Sequence, residues 1–293
     1  AQRSIGEQAR TAGGEHLLGS PRVQGGGGLV EDQDPWMAGQ RRTDRHQADW
    51  TPILDAAAAR VSYGHDLENI WLVAEALDAL NQPVAPYTDL FTNVFAYSRA
   101  CYGRSSSAKL PYGVRYMHDE ALVVLPRLLD ACGIERPILL GHSDGASIAL
   151  IHAAAAGRPV AGLALMAPHV VVEDVSVASI SAAKVAWRTT DLRAKLARYH
   201  DDVDGAFTGW NDVWLHPACR AWSIEGVLRD VRCPILAIQG EDDEYGTMDQ
   251  IERIARLAPD VELVRLADCR HSPHRDQPDA VLEALVRFVD RLT

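Results

Sequence analysis

No apolar run in this chain approaches the roughly 20 residues needed to cross a bilayer, so no membrane span and no membrane partner are expected. The first residues, AQRSIGEQAR, lack the apolar stretch of a secretory leader. Basic residues are outnumbered, with 29 Lys and Arg against 40 Asp and Glu and a net charge of −11. That balance offers no basic stripe to nucleic acid. There is no CxxC pair. The five cysteines (Cys101, Cys132, Cys219, Cys233, Cys269) are scattered and odd in number, which reads as reduced thiols in a cytoplasmic protein. Neither GxxxxGK nor GxGxxG follows a strand-like run, so no nucleotide cofactor is implied. The acidic run GEDDE, from Gly240, lacks the alternating ligand spacing of a calcium loop, so no metal is expected. No internal repeat is visible.

What the chain does have is length and apolar content: 293 residues, 47% of them apolar, suffice for a sizeable core. The first sixty residues stand apart. They carry GGEH, a four-glycine run and almost no apolar periodicity, and are expected to be irregular or poorly ordered. A short strand is expected at RVSY. DLENIWLVAEALDAL reads as a helix on its mostly helical apolar spacing. From residue 93 onward, strand-like runs alternate with helical ones. NVFAYS, RPILLG, VAGLALMA, CPILAIQG and VELVRL are continuous apolar strands, and helical patterns lie between and after them. Residues 168–229 look mostly helical and rich in tryptophan. Unbroken apolar strands separated by helices predict an α/β fold with a mostly parallel sheet covered on both faces.

One junction in that alternation carries chemistry. In LLGHSDGASIAL a strand runs through Gly141-His142-Ser143-Asp144-Gly145 straight into an alanine-rich helix. A strand–GxSxG–helix corner is too sharp for bulky neighbours, lifts its serine above the carboxyl end of the sheet, and sets a helix N-terminus beneath it. Such a serine needs a base, and the base an orienting acid. Downstream, two strands end in suitable loops. IQGEDDEYG offers Asp243 as the acid, by its Gly240-x-x-Asp243 spacing, with Asp242 as runner-up. DCRHSPHRDQP offers His271 as the base, with His274 as runner-up. Both loops leave the carboxyl ends of strands, where ligand-side loops of a parallel sheet belong.

With these segments in view, the chain resembles the α/β-hydrolase superfamily, most closely its esterase-like serine hydrolases, over about residues 93–293. The likeness rests on YSRACYGRSS, GHSDGASIAL, MAPHVVVEDVS, IQGEDDEYGT and HSPHRDQP. It implies Ser143 as nucleophile, Asp243 as acid and His271 as base, acting on a small carboxylic ester without a cofactor. It also implies a helical cap at about 168–229 within a hydrolase domain spanning residues 61–293. Two positions depart from the family pattern. Arg270 stands where a glycine usually precedes the histidine, and Cys101 where the loop usually has a glycine.

A larger departure lies upstream. The family normally has a His-Gly or similar turn some thirty residues before YSR, supplying the second backbone N–H that binds the oxyanion. Here the first donor is expected from the Asp144 amide, and a substitute second donor from Gly64 or His65. Residues 61–80, VSYGHDLENIWLVAEALDAL, also resemble a fragment of the N-acylglucosamine/cellobiose 2-epimerase family. A fused or recombined segment before about residue 90 would account for this. Two functions follow: a carboxylic ester hydrolase working through an acyl-enzyme, or a non-catalytic, hydrolase-like binding protein with a defective oxyanion hole. Oligomeric state is not legible in the sequence.

Overall fold

A computed structural model describes residues 71–76, 92–105 and 108–292. The irregular stretch expected over 1–60, the strand expected at RVSY, and Gly64 and His65 lie outside those residues.

Among the described residues six strands form one sheet: β1 (Trp71–Ala76), β2 (Thr92–Ala96), β3 (Ile138–His142), β4 (Gly162–Met166), β5 (Ile235–Gly240) and β6 (Val261–Leu266). Their order across the sheet is β2-β1-β3-β4-β5-β6. From β3 to β6 every pairing is parallel, whereas β1 runs antiparallel to both β2 and β3.

The helix expected over DLENIWLVAEALDAL is corrected here. Its centre, Trp71–Ala76, is strand β1. Trp71 to Val73 pair with Ala96 to Val94 on one side and with Leu140 to Ile138 on the other. Short apolar runs satisfy helical and strand patterns alike. Here two neighbouring ladders, invisible from local sequence, decide between them.

Burial explains why β3, β4 and β5 are so apolar. Leu139, Leu163, Leu165, Ile235 and Ala237 face one core. Their strand neighbours Leu140, Ala164, Met166, Leu236 and Ile238 face the other. Successive side chains point to opposite faces, so a strand covered on both sides has no polar position to spare. The first face is closed by α1 (Tyr116–Asp119), a widened turn at Glu120–Val124, α2 (Leu125–Cys132) and α3 (Asp144–Ala155). The widened turn ends two residues before Pro126, whose missing N–H and ring disturb the helical bonds of the preceding turn. The second face is covered by the last helix, α10 (Pro278–Leu292), through Val281, Ala284, Leu285 and Phe288.

Between β4 and β5 the chain leaves the sheet for a helical segment: α4 (Asp174–Thr189), α5 (Leu192–Leu196), α6 (Val203–Trp214), a 3-10 turn at Pro217–Ala221 and α7 (Glu225–Leu228). Helix α8 (Asp249–Leu257) links β5 to β6, and α9 (Pro273–Asp276) follows β6. Hydrogen bonds tie the helical segment to the loops around the sheet. The Gly103 amide donates to His200 Nδ1 at 3.0 Å. Ser176 and Ser179 hydroxyls donate to the Tyr245 and Glu244 carbonyls, each at 2.5 Å. Among the described residues no helix is long and apolar enough to cross a membrane. All five cysteines are free thiols.

Candidate active site

The carboxyl ends of β3, β4, β5 and β6 lie side by side, tied by backbone bonds across the ends. Ser143 N donates to Met166 O, Ala167 N to Ile238 O and Glu241 N to Leu266 O, all at 2.9 Å. The residues that follow these strands are therefore brought to one edge, although they lie far apart in sequence.

Ser143 occupies the corner between β3 and α3. Its backbone sits at φ 53°, ψ −123°, a conformation that costs a non-glycine residue about 1–3 kcal/mol. The surroundings impose it. Ala146 and Ser147 amides turn back onto the Ser143 carbonyl at 3.0 and 3.2 Å. A Cβ on Gly141 would lie 2.5 Å from the Gly145 carbonyl carbon and oxygen. Gly141→Ala should thus force β3 and α3 apart and lower stability by about 1–3 kcal/mol. Thermal unfolding of the purified variant checks this, and an unchanged melting temperature would show that the corner has slack.

Around Ser143 the expected partners converge. Ser143 Oγ donates to His271 Nε2 at 3.0 Å. His271 Nδ1 donates to both carboxylate oxygens of Asp243, at 2.9 Å each. Asp243 is buried and further held by Gln239 Nε2 at 2.6 Å and the Tyr245 amide at 2.7 Å. Burial alone would push its carboxyl pKa up. The charge and hydrogen bond of His271, with the Tyr245 amide, outweigh that and hold it below the usual carboxylate value. The loop can approach this closely because residue 240 is glycine: a Cβ there would lie 2.5 Å from the Arg270 carbonyl oxygen.

The runners-up stand elsewhere. Asp242 is exposed, and its amide donates to the Cys269 carbonyl at 3.0 Å. His274 packs edge-on against His142 at 5.1 Å, and burial drives its pKa well below the usual histidine value. Asp144 begins α3, where its amide was expected to serve, but its carboxylate is enclosed as well.

Several contributors carried no sequence signal for their role. His142 Nε2 donates to the His271 carbonyl at 2.6 Å, fixing the backbone of the loop that carries the imidazole. Glu244 accepts from the His271 amide at 3.2 Å and from Arg270 Nη2 at 2.8 Å. The arginine that departs from the family pattern is thereby engaged at the loop surface. Tyr245 lies against the His271 ring, with centroids 4.7 Å apart. His169, after β4, lies 5.7 Å from His271, and burial lowers its pKa to about 3, so its ring is neutral at physiological pH. Cys101, the other departure, sits at φ 74°, in the left-handed region where glycine is at ease. Its Sγ accepts the Ala108 amide at 3.0 Å. Among the described residues no group of histidine, cysteine and acidic side chains is arranged to hold a metal ion.

Comparison with known proteins agrees with this architecture. No curated protein sequence matches the chain. Solved structures do. A thermophilic esterase from Thermogutta terrifontis is 17% identical, with a TM-score of 0.53 over 71% of this chain and 84% of that one. A carboxylesterase from Nitrososphaera gargenis is 19% identical, with a TM-score of 0.56 over 69% and 80%. A meta-cleavage product hydrolase from Pseudomonas fluorescens is 17% identical, with a TM-score of 0.56 over 76% and 88%. At these identities the likeness is one of fold. The alpha/beta hydrolase family matches residues 46–284. That span runs through residues 61–80 and across residue 90. The resemblance of 61–80 to a sugar epimerase finds no support and is withdrawn. With a mostly parallel sheet, a sharp serine corner and a family match over most of its length, the chain belongs to the alpha/beta hydrolase family.

Proposed function

We propose that this protein is a serine hydrolase of carboxylic esters that works through an acyl-enzyme. The observation that carries the reading is the unbroken hydrogen-bond chain from Ser143 Oγ through His271 to Asp243. In the first half-reaction Ser143 Oγ attacks the ester carbonyl while His271 Nε2 takes its proton. Asp243 keeps Nδ1 protonated, and so Nε2 free to accept, and stabilises the imidazolium that forms. His271 then gives the proton to the departing alcohol. Water, deprotonated by His271, attacks the acyl-enzyme, and Ser143 leaves with the proton returned to it. Serine at the corner, instead of aspartate, argues against the haloalkane and epoxide chemistries that share this architecture.

The helical segment between β4 and β5 acts as a cap over this site. Trp187, Phe207 and Trp210 form an aromatic cluster within it, and Trp210 reaches Tyr245 at 6.4 Å between centroids. An apolar acyl group suits such surroundings. The names of the esterase and carboxylesterase neighbours favour ester substrates over other acyl derivatives.

The oxyanion is bound by the Asp144 amide, while the His-Gly turn that usually supplies the family's second donor is missing from the sequence. Loss of one such donor costs roughly 100- to 1,000-fold in turnover. p-Nitrophenyl esters of short acids should therefore be hydrolysed, and alkyl esters of the same acids far more slowly. Steady-state rates on matched pairs test this. Rapid turnover of unactivated alkyl esters would mean that the upstream segment supplies a fully formed second donor. Absence of any turnover of p-nitrophenyl esters by folded protein would defeat the enzymatic reading and leave a binding protein.

A further inference from the structure

The residue after the serine carries more than an amide. The Asp144 side chain is 1% exposed, and three other segments reach into its enclosure. Trp214 Nε1, from the end of α6, donates to Oδ1 at 3.1 Å. The Tyr116 hydroxyl, from α1, donates to Oδ2 and itself accepts from Trp214 Nε1 at 2.9 Å. The Arg99 guanidinium, from the loop after β2, lies 3.6 Å from Oδ2 and is only 5% exposed. Burial pushes the Asp144 carboxyl pKa up, and Arg99, Tyr116 and Trp214 pull it only part of the way back.

Such a group is expensive to keep. A buried carboxylate is desolvated, and its charge stands beside the place where a negative oxyanion must form, so an idle one opposes the reaction. Replacing the whole cluster with well-packed apolar side chains could fill the same space at no greater cost. What the carboxylate gains is a rigid tie from the first turn of α3 to the helical segment and to the loop after β2, at the residue whose amide faces the reacting carbonyl.

We propose that Asp144 is a positioning residue, its carboxylate gripped by Trp214, Tyr116 and Arg99 so that the amide of the same residue stays aimed at the developing oxyanion. Arg99 balances the carboxylate, so that the tie adds no net repulsion. Through Trp214 the aim of the amide depends on the helical segment being seated. This inference rests on the reading of Ser143 as nucleophile and of the Asp144 amide as oxyanion donor.

The test uses the full chain and three variants: Tyr116→Phe, which removes one hydroxyl; Trp214→Phe, which removes the indole N–H; and Asp144→Asn, which leaves one oxygen to accept where two did. Each is assayed on p-nitrophenyl butyrate. Each is also titrated with an aryl trifluoromethyl ketone, to which Ser143 Oγ adds while its proton moves to His271 and the carbonyl electron pair becomes an oxyanion. The expected result is a fall in kcat of about 10- to 100-fold, with KM little changed and the inhibition constant of the ketone raised by the same factor. A purely structural role would instead lower the melting temperature and the amount of active protein, leaving kcat per active site, counted by fluorophosphonate titration, unchanged. That outcome in Tyr116→Phe and Trp214→Phe overturns the proposal, as does an Asp144→Asn protein that is as fast as the parent or faster. Should Asp144→Asn not fold, Tyr116→Phe and Trp214→Phe decide alone. Failure of the underlying reading is distinguishable, because it would appear as probe labelling that survives in Ser143→Ala.

Discussion

A fluorophosphonate probe is expected to label the intact protein at one site and to leave Ser143→Ala unlabelled. Hydrolysis of p-nitrophenyl esters should fall with it, by as much as about a million-fold. Ser143 is only 8% exposed, is held at an unusual backbone angle, and is the one serine bonded to the His271 imidazole among the described residues. Ser147, one helical turn away, donates instead to the His169 carbonyl at 2.6 Å. Because Ser143→Ala removes only a hydroxyl at a position already adopted by the backbone, the variant should fold. Its far-ultraviolet circular dichroism and melting temperature should stay near those of the parent. Labelling that persists in folded Ser143→Ala would place the nucleophile elsewhere.

The second large effect is expected at the acid. Asp243→Asn should reduce turnover by about 10,000-fold, because an amide in place of the carboxylate can present an N–H to His271 Nδ1 and favour the tautomer whose Nε2 is protonated and cannot accept from serine. Asp242→Asn is the control. Its side chain is exposed, and the bond it contributes to the loop comes from its backbone amide, so turnover should change little. The same experiment discriminates between the two acids offered by GEDDE. A crippled Asp242→Asn beside a competent Asp243→Asn would reverse the assignment. Asp243 also bears on stability. Its pKa is held below the ordinary carboxylate value, so its contribution is present above that ordinary value and is lost as pH falls through the lower folded value. Acid should therefore weaken the parent more steeply than Asp243→Asn, as unfolding midpoints measured across the acid range would show.

Some of this protein is written locally. Gly141, Ser143 and Gly145 lie between an apolar strand and a small-residue helix. The sharpness of that corner is a property of a few adjacent residues, so it can be recognised without knowing what packs around it. The unbroken apolar character of β3, β4 and β5 likewise announces burial on both faces. The Gly-x-x-Asp spacing chose Asp243 over Asp242, because the glycine closes on the Arg270 loop and turns the third residue beyond it inward.

Other parts depend on partners that are distant in the chain. Strand β1 is one: WLVAEA suits a helix as well as a strand, and only pairing with β2 and β3 determines which. Asp144 is another. Its sequence position suggests nothing beyond an amide, yet its carboxylate meets Tyr116 across 28 residues and Trp214 across 70. The grip of His142 on the His271 carbonyl spans 129 residues. Local sequence sets backbone corners and apolar periodicity, because sterics and burial act residue by residue. The partner of a buried polar group is decided by which loops the sheet brings together at its carboxyl edge, and that juxtaposition exists only once the chain has folded.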